Sequence, residues 1–316
     1  MSSPRSIVPF VTREGVRSEA AWVRHLNAAF DGTDVRAFSE LNDEERAAAR
    51  VAIVADPDPS ALADLPGLEW VQSLWAGVEH LVSELPQTVG IVRMDGPQLA
   101  DTMSEAVLTW TLALHRDVFV YSRQQAERQW KPRPVLRPEE RTIAVLGLGN
   151  LGQRSAERLA TNGFNVLGWS RSEKAVPRIK TFHGDDGLLA VLERADIVVV
   201  LLPLTSDTRG LLGAGMLDRM KPDVSIINFA RGPIIDEHAL LERLDSGAIG
   251  HAVLDVFARE PLPDDHPFWT HPHVSVLPHI SAPTDRVAAS KVAARNIGRF
   301  LREGIVPPAV ERERGY

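Results

Sequence analysis

Apolar positions fall into short runs spaced by helical stretches along the whole chain. In the first hundred residues the runs are Ile7-Val8, Val51-Ala52-Ile53-Val54, Leu68 to Leu74 and Ile91-Val92, and between them Glu19 to Phe30 and Glu44 to Arg50 have helix-forming composition. This alternation predicts a small α/β domain with parallel strands, its turns marked by Pro57, Pro59, Pro66 and Gly67. Asp101 to Gln129 then runs without Gly or Pro, with apolar residues at Val107, Leu108, Leu112, Val118 and Phe119, and reads as one long helix capped by Asp101. It suits a helix packed on a second subunit and a buried scaffold helix equally well. Pro132, Pro134 and Pro138 break regular structure after it.

From there the repetition is clearer. Strand-like runs stand at Thr142 to Leu146, Asn165 to Trp169, Ile197 to Leu202, Val224 to Asn228 and His251 to Leu254, with helical stretches between them at Leu151 to Thr161, Gly187 to Glu193 and Asp236 to Leu244. Nearly all-apolar strands alternating with helices indicate a parallel sheet covered on both faces. A last helix, about Pro283 to Arg302, has the length to cross back to the N-terminal domain. The fold class expected is α/β with two Rossmann-like domains: a doubly wound nucleotide-binding domain over residues 99–283, and a smaller flavodoxin-like substrate domain from 1–98 plus 284–316.

Composition agrees with two domains, since 316 residues exceed what one core usually serves. The absence of cysteine excludes disulfides, thiolate zinc sites, iron–sulfur clusters and cysteine nucleophiles. A formal charge of −7 argues against nucleic acid or anionic membrane as a partner, so an anionic ligand has to be caught locally. The N-terminal Met1 to Phe10 lacks a signal-peptide core, and the longest apolar run, Ile197 to Leu202, is far short of the roughly 20 residues of a membrane helix. The expectation is a cytoplasmic protein.

Candidate chemistry begins after the strand ending at Leu146, where Gly147-Leu148-Gly149-Asn150-Leu151-Gly152 opens a helix. In that context the three glycines serve a tight turn, close approach to a pyrophosphate and close helix–strand packing. The helix N-terminus offers free N–H groups to the phosphates. About 20 residues on, where NAD binding calls for an acid, the chain reads Ser170-Arg171-Ser172 followed by Lys174. A missing acid and a new base at one place predict NADPH, with NADH possible, Arg171 clamping the 2′-phosphate and the two serines donating beside it.

Three further segments follow strand ends: Asn228-Phe-Ala-Arg231-Gly232-Pro233, Leu254-Asp255-Val-Phe-Ala-Arg-Glu260-Pro261-Leu262 and Leu277-Pro278-His279-Ile-Ser-Ala282. Beside a hydride-donating cofactor, reduction of an anionic substrate needs a proton donor and a cationic anchor. His279 suits the first, held protonated by Glu260, and Arg231 suits the second. With Trp75-Ala-Gly-Val-Glu-His-Leu81 upstream, these segments in this order resemble the D-2-hydroxyacid dehydrogenase family over essentially the whole length. Within it the chain is most similar to the glyoxylate/hydroxypyruvate reductase A group, on Trp169 to Ser172, Arg259 to Pro263, Pro267 to Pro272 and the terminal Arg314-Gly-Tyr316.

The resemblance assigns Arg231, Glu260 and His279 the same catalytic roles and puts the substrate at Trp75, Ala76, Gly77 and Arg231. It implies cofactor contacts from Asn150, Leu151, Leu202, Pro203, Phe229, Ala230, Arg231, Asp255, His279 and Ser281, besides the glycines and Ser170 to Ser172. Asp255 falls near the nicotinamide. The function it implies is NAD(P)H-dependent reduction of small 2-keto acids such as glyoxylate and hydroxypyruvate by a homodimer, to D-configured hydroxyacids where chiral. Trp75 stands where many relatives carry a small residue, which implies a narrower pocket, and Trp269 is a second aromatic candidate for it.

The alternatives are a dehydrogenase of a larger D-2-hydroxyacid and, in another class, a cofactor-sensing co-repressor-like binding protein. Appended tails would mark the latter, and none are evident. His266, His271, His273 and His279 crowd fourteen residues, a spacing open to a metal reading. Prolines at 267, 272 and 278 keep the stretch irregular, so no metal is expected.

Overall fold

The computed structural model describes residues 6–312. The chain divides into two units, one made of the residues up to Gln98 together with those from Thr284 onward, the other of Leu99–Pro283.

In the first unit the elements run β1 (Ser6–Thr12), α1 (Val16–Ala29), β2 (Thr33–Ala37), α2 (Asp43–Ala48), β3 (Val51–Ala55), α3 (Pro59–Ala63), β4 (Trp70–Ser73), α4 (Glu79–Glu84) and β5 (Gly90–Val92). The strands form a parallel sheet in the order β2-β1-β3-β4-β5, the flavodoxin-like arrangement. β1 passes straight through Pro9, because burying Val8, Phe10 and Val11 outweighs one lost donor. β2, absent from the apolar runs, is an edge strand whose Thr33, Val35 and Ala37 alternate inward. One face of the sheet, with Phe10, Ile53 and Trp70, packs in one cluster with Trp22 and Leu26 of α1 and with Ala289, Ala293, Ile297 and Phe300 of the final helix. The Trp70 and Phe300 rings meet edge to face at 5.5 Å.

Helix α5 (Pro97–His115) leads into the second unit and is followed by α6 (Val118–Ala126). The single helix expected over 101–129 is therefore two. The break falls at Asp117, which adopts a left-handed φ of 54°. The turn lets Phe119 stack between Trp110 (5.9 Å) and the buried His251 (4.2 Å), a packing gain a continuous helix would forgo. Asp101 is no cap, since α5 starts at Pro97; its carboxylate instead takes a 2.6 Å bond from Arg154.

The remaining elements are β6 (Thr142–Leu146), α7 (Asn150–Thr161), β7 (Asn165–Ser170), β8 (Lys180–His183), α8 (Gly184–Leu192), β9 (Ile197–Val200), α9 (Ala214–Leu217), β10 (Val224–Asn228), α10 (Glu237–Asp245), β11 (Ile249–Leu254) and β12 (Val274–Val276). The strands make a parallel seven-stranded sheet in the order β12-β11-β10-β9-β6-β7-β8, with buried apolar clusters on both faces. The chain winds one way from β6 through β8 and the other way from β9, so a topological switch point opens at the end of β6. Finally α11 (Arg286–Glu303), capped by Asp285, returns to the first unit, where Asn296 donates to Gln72 on β4 at 2.8 Å.

Candidate active site

All seven strands of the larger sheet point the same way, so whatever follows them gathers at one edge. That edge holds the glycine loop after β6, Arg171 after β7, Leu202-Pro203 after β9, Arg231 after β10, Asp255 to Glu260 after β11 and His279 after β12.

The glycine loop has the form its spacing predicts. Gly147 takes a φ of 102°, and its N–H donates to Trp169 O at 2.8 Å. A Cβ on Gly152 would stand 1.7 Å from the Gly147 carbonyl, so the first turn of α7 can pack there only as glycine. A Cβ on Gly149 would meet nothing within 4 Å beyond its own chain neighbours, and α7 has no side-chain cap. Uncapped N–H groups facing open space over a backbone without side chain are what a pyrophosphate requires, so the residues present fit a dinucleotide. The Leu148 carbonyl is held by Gln153 and by the Lys174 ammonium, both at 2.9 Å. Asn150 and Leu151 begin α7; Leu202 is buried and Pro203 half-buried beside the loop. Ser170 donates to Ser172 O at 2.7 Å, and Arg171 pairs with Asp207 at 2.9 Å.

Asn228, buried at the end of β10, grips the next turn: its Oδ1 accepts from Ala230 N (3.1 Å) and its Nδ2 donates to Arg231 O (3.1 Å). The Arg231 guanidinium is steadied by a 2.7 Å bond to Ala230 O, and Phe229 and Ala230 are buried. A Cβ on Gly232 would lie 2.0 Å from Phe257 C, so the loops after β10 and β11 touch through backbone. That contact sets Arg231 beside the Glu260 loop.

Glu260 uses both oxygens. Oε1 accepts from Phe257 N at 2.9 Å, and Oε2 meets His279 Nδ1 at 2.7 Å. The hydrogen bond to Glu260 raises the His279 pKa above its ordinary 6.5, against burial and the Arg231 charge. Burial alone would raise the Glu260 carboxyl, but His279, the Phe257 N–H and Arg231 together hold it below the usual carboxylate range. Arg231 acts on both partners, so the three predicted residues share one field.

Behind them Asp255, buried, accepts from Ile280 N at 2.7 Å and Ser281 N at 2.9 Å. These bonds clamp the turn that keeps His279 at a left-handed φ of 54°, a conformation a non-glycine residue holds only when its surroundings fix it. The Ser281 hydroxyl is buried without a protein partner. Neither the Asn228 grip nor Asp207 was legible as part of the site; a polar residue closing an apolar strand, as Asn228 does in Ile226-Ile227-Asn228, was the available signal.

Trp75, Ala76 and Gly77 lie in the other unit, on the loop after β4, half-buried. Ser73 Oγ both accepts from Trp75 N and donates to Trp75 O, each at 3.0 Å, shaping that loop. Trp269 is exposed, its indole donating to Pro263 O at 2.9 Å. The clustered histidines have separate partners: His266 accepts from Phe268 N, His271 from His273 N, and His273 bonds Gly250 O. Among the described residues no group of three or more His, Asp or Glu side chains is placed to hold a metal ion. Likewise no helix among them is long and apolar enough to cross a membrane. The Arg314-Gly-Tyr316 end of the resemblance and Met1 to Arg5 of the N-terminal stretch lie outside the described residues.

The profile of the D-isomer specific 2-hydroxyacid dehydrogenase NAD-binding domain matches residues 108–281. The chain belongs to the D-isomer specific 2-hydroxyacid dehydrogenase family. Among curated relatives, this dehydrogenase is 34% identical over 304 residues to the glyoxylate/hydroxypyruvate reductase A of Photorhabdus laumondii subsp. laumondii, covering 94% of this chain and 96% of the relative. It is 35% identical over 296 residues to the protein of that name from Serratia proteamaculans, covering 92% and 93%. Among solved structures, it aligns at TM-score 0.91 and 37% identity with the Xanthobacter autotrophicus Py2 D-isomer specific 2-hydroxyacid dehydrogenase in complex with NADPH and MES, over 99% of this chain and 100% of that one. The NADPH-dependent glyoxylate/hydroxypyruvate reductase of Sinorhizobium meliloti, with NADP and sulfate, aligns at TM-score 0.90 and 33% identity over 98% and 100%.

Proposed function

We propose that this dehydrogenase reduces small 2-keto acids such as glyoxylate and hydroxypyruvate with NADPH, giving D-configured hydroxyacids where the product is chiral. One observation carries it: His279 and Glu260 are joined at 2.7 Å within the field of Arg231, at the sheet edge that also holds the uncapped glycine loop. The relatives' names favour the same substrates, and the NADPH and NADP in two aligned structures favour the same cofactor.

When bound, the nicotinamide supplies the hydride. Arg231 holds the substrate carboxylate and the polarised carbonyl oxygen, stabilising charge as it develops there. His279, kept protonated by Glu260, delivers its proton to that oxygen. Asp255 positions His279 through the backbone, and Asn228 positions Arg231. Gly147, Gly149, Asn150, Leu151 and Gly152 would hold the pyrophosphate and Arg171 with Ser172 the 2′-phosphate, Ser170 shaping that turn through its bond to Ser172 O, and Leu202, Pro203, Phe229, Ala230 and Ser281 would line the dinucleotide site. The unit built around Trp75 to Gly77 is the substrate domain, and Leu99–Pro283 the cofactor domain. The reading includes a homodimer in the cytoplasm. It is supported by the exposed Leu112, Val118, Tyr121, Trp130 and Val135 along one stretch of chain, and sedimentation equilibrium showing only monomer counts against it.

The test is oxidation of NADPH and NADH across glyoxylate, hydroxypyruvate, pyruvate and bulkier keto acids. Activity should be greatest with NADPH and the two small acids. His279→Ala should lower kcat about a hundred- to ten-thousandfold with NADPH affinity retained; wild-type turnover in that variant sinks the assignment.

A further inference from the structure

Strand β6 lies between β7 and β9 in the sheet, and its end carries the glycine loop. Arg171 follows β7 and Asp207 sits on the loop after β9, yet their side chains meet at 2.9 Å. The bond therefore runs across the end of β6, over the crevice a dinucleotide has to enter. Asp207 is presented on a stiff loop. Thr208 Oγ1 donates to Pro203 O at 2.6 Å and accepts from Thr205 N at 2.8 Å, and Arg209 N closes on Thr205 O at 3.0 Å. Ser206 Oγ reaches the second Asp207 oxygen at 3.4 Å. Both ends of the pair are exposed, with 50% and 64% of the side-chain surface open, so the bond is of the weak, exchangeable kind.

We propose that Asp207 is a specificity-determining residue: its carboxylate occupies the Arg171 guanidinium across the mouth of the adenosine site and yields it to the 2′-phosphate when the cofactor binds. This inference rests on the NADPH reading. Two anions compete for one planar donor. The phosphate brings more charge and wins, while a ligand without it leaves the Arg171–Asp207 pair in place and neither gains nor loses by it. The pair thereby sets the affinity for the phosphorylated cofactor below what Arg171 alone would give, keeping it releasable.

Isothermal titration of the purified full chain with adenosine 2′,5′-bisphosphate and with adenosine 5′-monophosphate tests this without turnover. Asp207→Asn should tighten the bisphosphate roughly two- to fivefold, leave the monophosphate unchanged, and confer no gain in an Arg171→Ala background. A bisphosphate affinity that is unchanged or weaker in Asp207→Asn, or a gain that persists without Arg171, overturns the proposal. Equal affinity of the wild-type chain for the two nucleotides overturns the NADPH reading beneath it.

Discussion

At the scale of single residues, the site is a set of charges whose protonation is fixed by neighbours. Glu260 raises His279 above its ordinary value, so reduction, which consumes the imidazolium proton, should hold its rate through pH 6.5 and decline only on the alkaline side. Glu260→Gln removes the charge but keeps a hydrogen-bonding side chain. Its alkaline limb in kcat/KM should move to lower pH, and an unmoved limb would mean that Glu260 does not set the proton's availability. The three ionisable residues were legible because their order along the chain follows the strand ends. Their supports were not. Asn228 and Asp255 act through hydrogen bonds to backbone N–H groups, and whether a carboxylate meets a ligand or the turn two residues beyond a distant histidine is decided by tertiary packing, not by spacing.

At the scale of elements, backbone contacts govern where those side chains land. The β6–α7 turn allows no Cβ at position 152, because the Gly147 carbonyl is already there. Gly152→Ala should cost about 1–3 kcal/mol of stability, measured by urea unfolding, and weaken NADPH binding by tilting α7 off the loop; wild-type stability and affinity together would contradict that packing. Central strands were readable from their apolar runs, β6 and β10 to the residue. Of the four edge strands only β5 showed an apolar run; β2 merely alternates, and β8 and β12 have no fully buried position, so their sequences carry no continuous apolar signal. The break at Asp117 escaped notice for a related reason: neither Gly nor Pro marks it, and what favours it is the stack of Phe119 on His251, over a hundred residues away in sequence.

At the scale of the molecule, the net charge of −7 coexists, in the proposed reading, with anion capture by Arg171 and Arg231, while stability against pH follows other groups. His251 is the clearest. Burial, then the positive field of Arg123, His273 and His271, pushes its pKa down to about 3 from 6.5. Below pH 6.5 the unfolded chain takes up a proton that the folded chain refuses, so this stabilisation is present above 6.5 and drains away toward 3, by up to about 1.4 kcal/mol per pH unit. His279, shifted upward, contributes in the opposite sense, below 6.5 and lost as pH rises through its folded value. His251→Gln should therefore show a shallower fall of Tm between pH 6.5 and 4 than the wild type; parallel curves would place the acid sensitivity elsewhere.

The first unit is discontinuous, and its sheet is covered by Ala289, Ala293, Ile297 and Phe300 of α11. During synthesis the ribosome emits β1 to β5 early, then the whole of Leu99–Pro283, before that cover exists. At ordinary elongation rates the interval is about ten to forty seconds. Through it Phe10, Ile53 and Trp70 lack their final partner, so the nascent chain presents an apolar sheet face open to any holdase at the ribosome, although every strand of that sheet has already been made.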